Sequence, residues 1–161
     1  MRTICSWMRQ QEKRPNKKVL ERLAADAALA AGLPDSLDVA VVFLPEKKMA
    51  ELNWESLRHE GPTDVISFDL RIQEENFPGI EKEEFEADVE IYVCPDVARR
   101  EARKRNLPYS REVVLYMAHG LLHTAGEDDL IPEKKRKMRR REKQVLAALE
   151  KTYNFERIFG S

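Results

Sequence analysis

Two histidines four residues apart, His119 and His123, followed by Gly126 and the carboxylates of Glu127, Asp128 and Asp129, constrain this chain more than any other segment. On an α-helix, residues four apart share a face, so both imidazoles can aim at a single ion. Glycine tolerates positive φ, which lets the chain reverse at the helix end and bring a carboxylate over the same point. Three protein ligands leave a position open for water or substrate, the arrangement of a catalytic metal site. The plainer alternative is a pair of solvated helix histidines beside an acidic turn. Two of the chain's three histidines lie in this run, its helix is apolar around them, and the glycine turn leads straight into acids. Together these features favour metal binding and leave open which carboxylate is the third ligand.

Apolar periodicity divides the rest of the chain into strands and helices. A short edge strand is expected at 3–8. Val19, Leu20, Leu23, Ala24 and Ala27 recur at helical spacing between Pro15 and Ala31, with Gly32 as a stop. Residues 37–44 are β-branched and apolar and read as a buried strand, after which Pro45 and Glu46 open a short helix carrying Met49, Leu52 and Leu57. Further strands fall at 65–70 and 89–94, separated by an acidic stretch at 73–88 that reads as a hairpin connection or flexible loop. Pro95 and Asp96 begin a basic helix ending near Asn106. Ser110 is placed to cap the helix that carries the histidines to Gly126, with Glu112 in its first turn. A last helix is expected from Pro132 to Tyr153, basic at first and then apolar at Val145, Leu146 and Leu149. There is no internal repeat and no strict alternation of strand and helix. The expected class is therefore α+β: one domain over 1–161, a small mixed sheet flanked by helices, with the metal site on a helix and the turn after it.

Composition narrows the setting. No apolar run approaches the roughly 20 residues of a membrane-spanning helix, and the basic start lacks the sustained apolar core of a signal peptide. A cytoplasmic location is expected, with Cys5 and Cys94 as free thiols because they form no CxxC pair. The net charge of -1 does not mark a nucleic-acid binder, so local distribution carries that argument. The stretches RREARKR at 99–105 and KKRKMRRR at 134–141 place basic groups around two helices. The second is too one-signed to be stabilised by its own ion pairs, which favours a polyanionic partner.

The run HGLLHTAGEDD at 119–129 closely resembles the motif of the YbeY family of endoribonucleases, usually written H-G-x-L-H-L-x-G-Y-D-H. His119, Gly120, Leu122, His123, Gly126 and Asp128 stand where the pattern expects them, while Thr124, Glu127 and Asp129 replace Leu, Tyr and the third His. RHEGPTDVISF at 58–68 is similar to the family's arginine followed by P-T-N/D-V-L-S-F, and VEIYVCP at 89–95 resembles its G-D/E-I-x-I/V-C strand, with Val89 in place of Gly. The three blocks occur in family order and span most of the chain. Jointly they are specific.

The resemblance implies an α+β fold, one zinc ion held by His119, His123 and Asp129, and cleavage of single-stranded RNA. It also implies a role in maturing the 3′ end of small-subunit ribosomal RNA and in ribosome quality control, with the small subunit as partner. Catalytic importance in the family falls on Arg58 and His119. A carboxylate oxygen is a legitimate zinc ligand, and this donor set also admits other divalent transition metals. Exchanging the third His for Asp129 lowers the formal charge of the site by one unit and should weaken its pull on phosphate. Asp128 is then placed to orient a histidine or the turn.

Phosphodiester cleavage suits these residue types: a metal polarises a phosphate oxygen, and an arginine such as Arg58 holds two more in a fixed fork. Thr63 and Asp64 are expected to fix the turn by local hydrogen bonds. Two rivals stand beside the nuclease reading. One is a zinc metallopeptidase, but Gly120 occupies the position where an HExxH enzyme carries its general-base Glu. The other is a non-catalytic ribosome- or RNA-binding module with a structural metal.

Overall fold

The computed structural model describes residues 1–8, 14–71 and 86–161. The acidic stretch expected as a connection at 73–88 lies, except for its last residues, outside them. The first strand, β1 (Arg2–Trp7), is followed by α1 (Lys17–Ala30), whose Asn16 side chain accepts from the Val19 N–H at 3.1 Å. This is an N-cap that satisfies one orphan donor of the first turn. The inward stripe of α1 is Leu20, Leu23, Ala24, Ala27 and Ala28. Its small residues let the helix lie close on the sheet while it carries the chain over to β2 (Asp38–Phe43), which pairs parallel with β1.

After α2 (Glu46–Leu57) come β3 (Val65–Asp69) and β4 (Val89–Val93), and the sheet order is β1-β2-β4-β3. β4 is parallel to β2, whereas β3 is antiparallel to β4, so the sheet is mixed and β1 is an edge strand as expected. In β2 and β4 burial alternates: Val39 pairs Val89, Val41 pairs Ile91 and Phe43 pairs Val93, and these residues share one fully buried face. Residues 37–44 therefore form a half-buried strand, not one enclosed on both sides, because the helices cover one face most deeply.

That cover is α4 (Tyr109–Thr124), which follows α3 (Pro95–Arg105), packs on β3 and β4, and meets α1, α3, α5 (Pro132–Glu150) and α6 (Phe155–Phe159). Gly120 permits the close approach: a Cβ there would stand 2.9 Å from Ile91 Cγ2 and 3.0 Å from Val65 Cγ2. The result is a single α+β domain with an open four-stranded sheet and six helices among the described residues.

Two boundaries differ from expectation. Ser110 does not cap α4; it lies buried inside the first turn, and Pro108 occupies the cap position, with no side-chain hydrogen bond there. The last helix stops at Glu150 and does not reach Tyr153. The Thr152 and Tyr153 N–H groups both return to the Leu149 carbonyl, and the Asn154 side chain caps a new short helix, α6. Phe159 of α6 then packs against Phe43 and Trp7 at ring separations of 6.1 and 6.4 Å, so aromatic burial rewards the break.

Candidate metal centre

α4 ends by turning sharply on itself. The Glu127 N–H bonds the Leu122 carbonyl at 3.0 Å and the Gly126 N–H bonds the His123 carbonyl at 3.1 Å, with Gly126 at φ +105. These two bonds are the Schellman pattern, which needs a left-handed residue and so favours glycine. Arg71, just past β3, also donates to the Thr124 carbonyl at 2.7 Å and holds Asp69 with the same guanidinium. A cation at a helix C-terminus complements the dipole there.

The reversal delivers Asp129 and sends its two neighbours elsewhere. Asp129 Oδ2 lies 3.7 Å from His119 Nε2, and Asp129 Oδ1 lies 3.6 Å from His123 Nε2. The two imidazole Nε2 atoms are 3.0 Å apart, with the rings nearly perpendicular at 82°. Glu127 instead meets Lys137 at 3.4 Å. Asp128 meets Lys134 at 3.1 Å and the Leu130 N–H at 3.2 Å, which hold its pKa below the ordinary carboxylate value. Asp128 thus secures the turn and no histidine.

The donor set fits a zinc-sized ion. Tetrahedral ligands at zinc bond lengths of about 2.0–2.1 Å sit about 3.4 Å from one another. The two Nε2 atoms stand 3.0 Å apart, and each has an Asp129 oxygen, a different one for each, at 3.6–3.7 Å, close to that figure. Among the described residues this is the one group of three such side chains gathered tightly enough to hold an ion.

A fourth residue, unforeseen in the sequence, completes the arrangement. Glu142 of α5 reaches across to His119 Nδ1 at 3.1 Å. A neutral His119 that donates its Nδ1–H to this carboxylate carries its lone pair on Nε2, the atom facing Asp129 and His123. Burial opposes charge on His119, but the Glu142 hydrogen bond and the charges of Glu142, Asp129 and Asp64 prevail and raise its pKa. Glu142 hides within a basic run, yet it falls four after Met138 and three and four before Val145 and Leu146, all buried. That spacing places it on the inward face.

Beside His119 and Glu142 lies a cavity of about 590 Å³ between α3, α4, α5 and the 62–64 loop. Thr63 and Asp64 line it and also make the local bonds expected of them, Asp64 Oδ1 accepting from Thr63 Oγ1 at 3.2 Å and from the Val65 N–H at 2.7 Å. Arg58 lies outside that lining. It is exposed at the C-cap of α2, in the left-handed region at φ 57, with its guanidinium 5.7 Å from the Trp54 ring centre. Gly120 faces the sheet, so a glutamate in that position would meet Ile91 and Val65, not the imidazoles.

An α+β domain that gathers two imidazoles and a carboxylate at the turn after its central helix belongs to the class of small proteins built around one candidate metal centre. Within that class the assignment is specific. Residues 5–150 match the family model described as endoribonuclease YbeY, and the chain belongs to this family. It is 34% identical over 116 residues to a Frankia alni endoribonuclease YbeY, covering 69% of this chain and 62% of the relative. A Chlorobium luteolum endoribonuclease YbeY is 35% identical over 114 residues, 71% of this chain and 75% of the relative. The chain spans 62% and 65% of the length of two Frankia relatives it matches. The solution structure of a Thermotoga maritima protein superposes with a TM-score of 0.54 over 92% of both chains at 24% identity, a likeness of fold. No described helix is long and apolar enough to cross a membrane.

Proposed function

We propose that this chain is a zinc-dependent endoribonuclease that cuts single-stranded RNA, acting in the cytoplasm in maturation of the 3′ end of 16S ribosomal RNA and in ribosome quality control. The observation that carries the reading is the convergence of His119, His123 and Asp129: the two Nε2 atoms are 3.0 Å apart, and each has an Asp129 oxygen within 3.7 Å. A divalent ion held by these three would supply Lewis acidity toward a phosphate oxygen. The nitrogen and oxygen donors suit zinc and also accept other divalent transition metals.

The chain's own residues divide the remaining work. Glu142 fixes the His119 tautomer and ring orientation. Arg58 would clamp two oxygens of the scissile phosphate; none of the described carboxylates pairs with it, and its left-handed backbone retains an arginine where glycine would be relaxed. On α5, Lys135, Arg136, Arg139, Arg140 and Lys143 have no carboxylate partner among the described residues, so they are available to phosphates along an RNA strand. A peptidase reading is disfavoured, because position 120 is turned away from the site.

The test is cleavage of single-stranded and duplex RNA, with casein as control, by metal-depleted and zinc-restored protein, alongside Arg58→Ala, His119→Ala and Asp129→Ala. Cleavage confined to single-stranded RNA, restored by zinc and lost in all three variants, is the expected result. Zinc retained by Asp129→Ala but lost by Glu127→Ala or Asp128→Ala would refute the ligand assignment.

A further inference from the structure

From residue 50 to residue 65 Asn53 is the one buried residue, at 4% exposure, and residues 54–61 are all exposed. The turn that carries Arg58 therefore has no buried side chain of its own to anchor it. What meets it is Asn53, twice over. The Asn53 carbonyl accepts from the Arg58 N–H at the end of α2 and from the His59 N–H at 3.4 Å, and its side-chain Nδ2 donates to the Gly61 carbonyl at 2.8 Å. The next residues, Pro62, Thr63 and Asp64, line the cavity beside His119, and the Asp64 carbonyl accepts from the Cys94 N–H at 2.9 Å. The segment is thus pinned at two points, by Asn53 near Arg58 and by Cys94 near the metal centre.

Stability does not account for an amide in this place. Met49, one turn earlier on the same face, is fully buried, and an apolar residue at 53 would extend its stripe. Asn53 gains one hydrogen bond, to the carbonyl of an exposed residue that water would otherwise serve, and its Oδ1 is buried with no partner. A bond gained and a buried acceptor left unmet roughly cancel. What the amide adds is geometry. We infer that Asn53 is a positioning residue for RNA cleavage, whose side-chain amide fixes the turn that presents the Arg58 guanidinium to the scissile phosphate. The inference rests on the phosphate-clamp reading of Arg58 above and adds the group that holds the clamp in place.

The backbone makes such a brace necessary. Arg58 at φ 57 lies in the left-handed region, which is strained for a residue other than glycine. Released, its backbone would relax toward negative φ and swing the guanidinium from its place 5.7 Å from the Trp54 ring centre. Because Arg58 is exposed, the backbone of its turn limits where the planar fork can point. A misplacement of about 1 Å in such a group costs about 100-fold in rate. The donor itself is required: an ionised aspartate at 53 would only accept, and would face the Gly61 carbonyl with like charge.

The experiment compares the full chain with Asn53→Leu, which keeps the side chain's size and removes the donor, and with Asn53→Ala as a second replacement. Backbone order parameters from nitrogen-15 relaxation should fall at residues 58–61 from about 0.85 to below about 0.6, with little change in melting temperature. On zinc-loaded protein and single-stranded RNA, kcat should fall about 100-fold while KM holds. In an Arg58→Ala background the same replacement should change kcat by less than about twofold, since a residue acting through Arg58 has nothing left to place. A turn that stays ordered in both variants overturns the inference. So does a loosened turn with parental kcat, and if Arg58→Ala still abolishes cleavage the nuclease reading stands. A large loss of melting temperature in both variants also overturns it, by making the amide part of the fold's stability. A parent that cuts no RNA, or an Arg58→Ala chain that cuts as well as the parent, defeats the nuclease or clamp reading first and the inference with it.

Discussion

α3 and α5 are nearly interchangeable as sequence. Each opens with a proline in its first turn, each carries a dense basic run, and each sets one glutamate among the cations. In the fold they diverge. Four of the five cations of α3 are engaged locally: Arg100 meets Glu46, Lys104 and Arg105 meet Glu101, and Arg99 lies 4.1 Å over the Tyr109 ring. On α5, Lys134, Lys137 and Arg141 alone find partners among the described residues, two of them in the 127–128 turn, and the glutamate Glu142 points inward to His119. Basic groups thus hold structure in α3 and stay largely unpaired among the described residues in α5. What differs is where the embedded glutamate points: Glu101 lies one turn before two cations of its own helix, whereas Glu142 faces His119.

The strongest way to break this contrast is through the two glutamates. Glu142→Gln should weaken zinc binding about 10–100-fold, the usual effect of removing an outer partner of a metal-bound histidine. Glu101→Gln should leave zinc affinity unchanged. Competition against a chromophoric chelator measures both, and equal losses would show the helices to be equivalent after all.

The cations give a smaller effect. Replacing Arg136, Arg140 and Lys143 together by alanine should lower the slope of log affinity for single-stranded RNA against log salt by about 2, near 0.7 per charge. Replacing Arg100 and Lys104 should hardly change that slope, because these groups already face carboxylates.

A pH titration sharpens the role of Glu142 further. In the metal-free chain the His119 pKa is raised from 6.5. Its contribution to stability is therefore fully present below the unfolded value and is lost as pH rises through the folded one. Unfolding of metal-free protein should show a wider stability gap between the parent and Glu142→Gln at about pH 5.5 than at about pH 9. A gap independent of pH would mean that the contact is packing alone. The smallest effect belongs to Arg100→Ala, whose exposed ion pair with Glu46 should cost less than about 1 kcal/mol in denaturant melts.

Much of this was legible from local rules. Four-residue spacing fixed the facing of His119 and His123, and Gly126 marked the reversal. Strands and helices fell close to their expected spans because alternation and helical periodicity are properties of a short window. The failures were also physical. Ser110 resembled a cap, but its helix begins a residue earlier, behind Pro108. The chain near Tyr153 kept helical composition, yet Asn154 capped a new segment so that Phe159 could reach Phe43. The left-handed backbone of Arg58 had no sequence cue, since that conformation is ordinarily announced by glycine or asparagine.

By itself the sequence determined what covalent geometry and short-range periodicity impose: an α+β chain, two imidazoles on one helical face, and an acid within one turn of them. Only the tertiary structure chose Asp129 over Glu127 and Asp128, turned Gly120 to the sheet, and brought Glu142 to His119 from 23 residues away. These are choices among equivalent residues. They depend on which helices pack against which, and no local rule ranks a carboxylate until its neighbours through space are fixed.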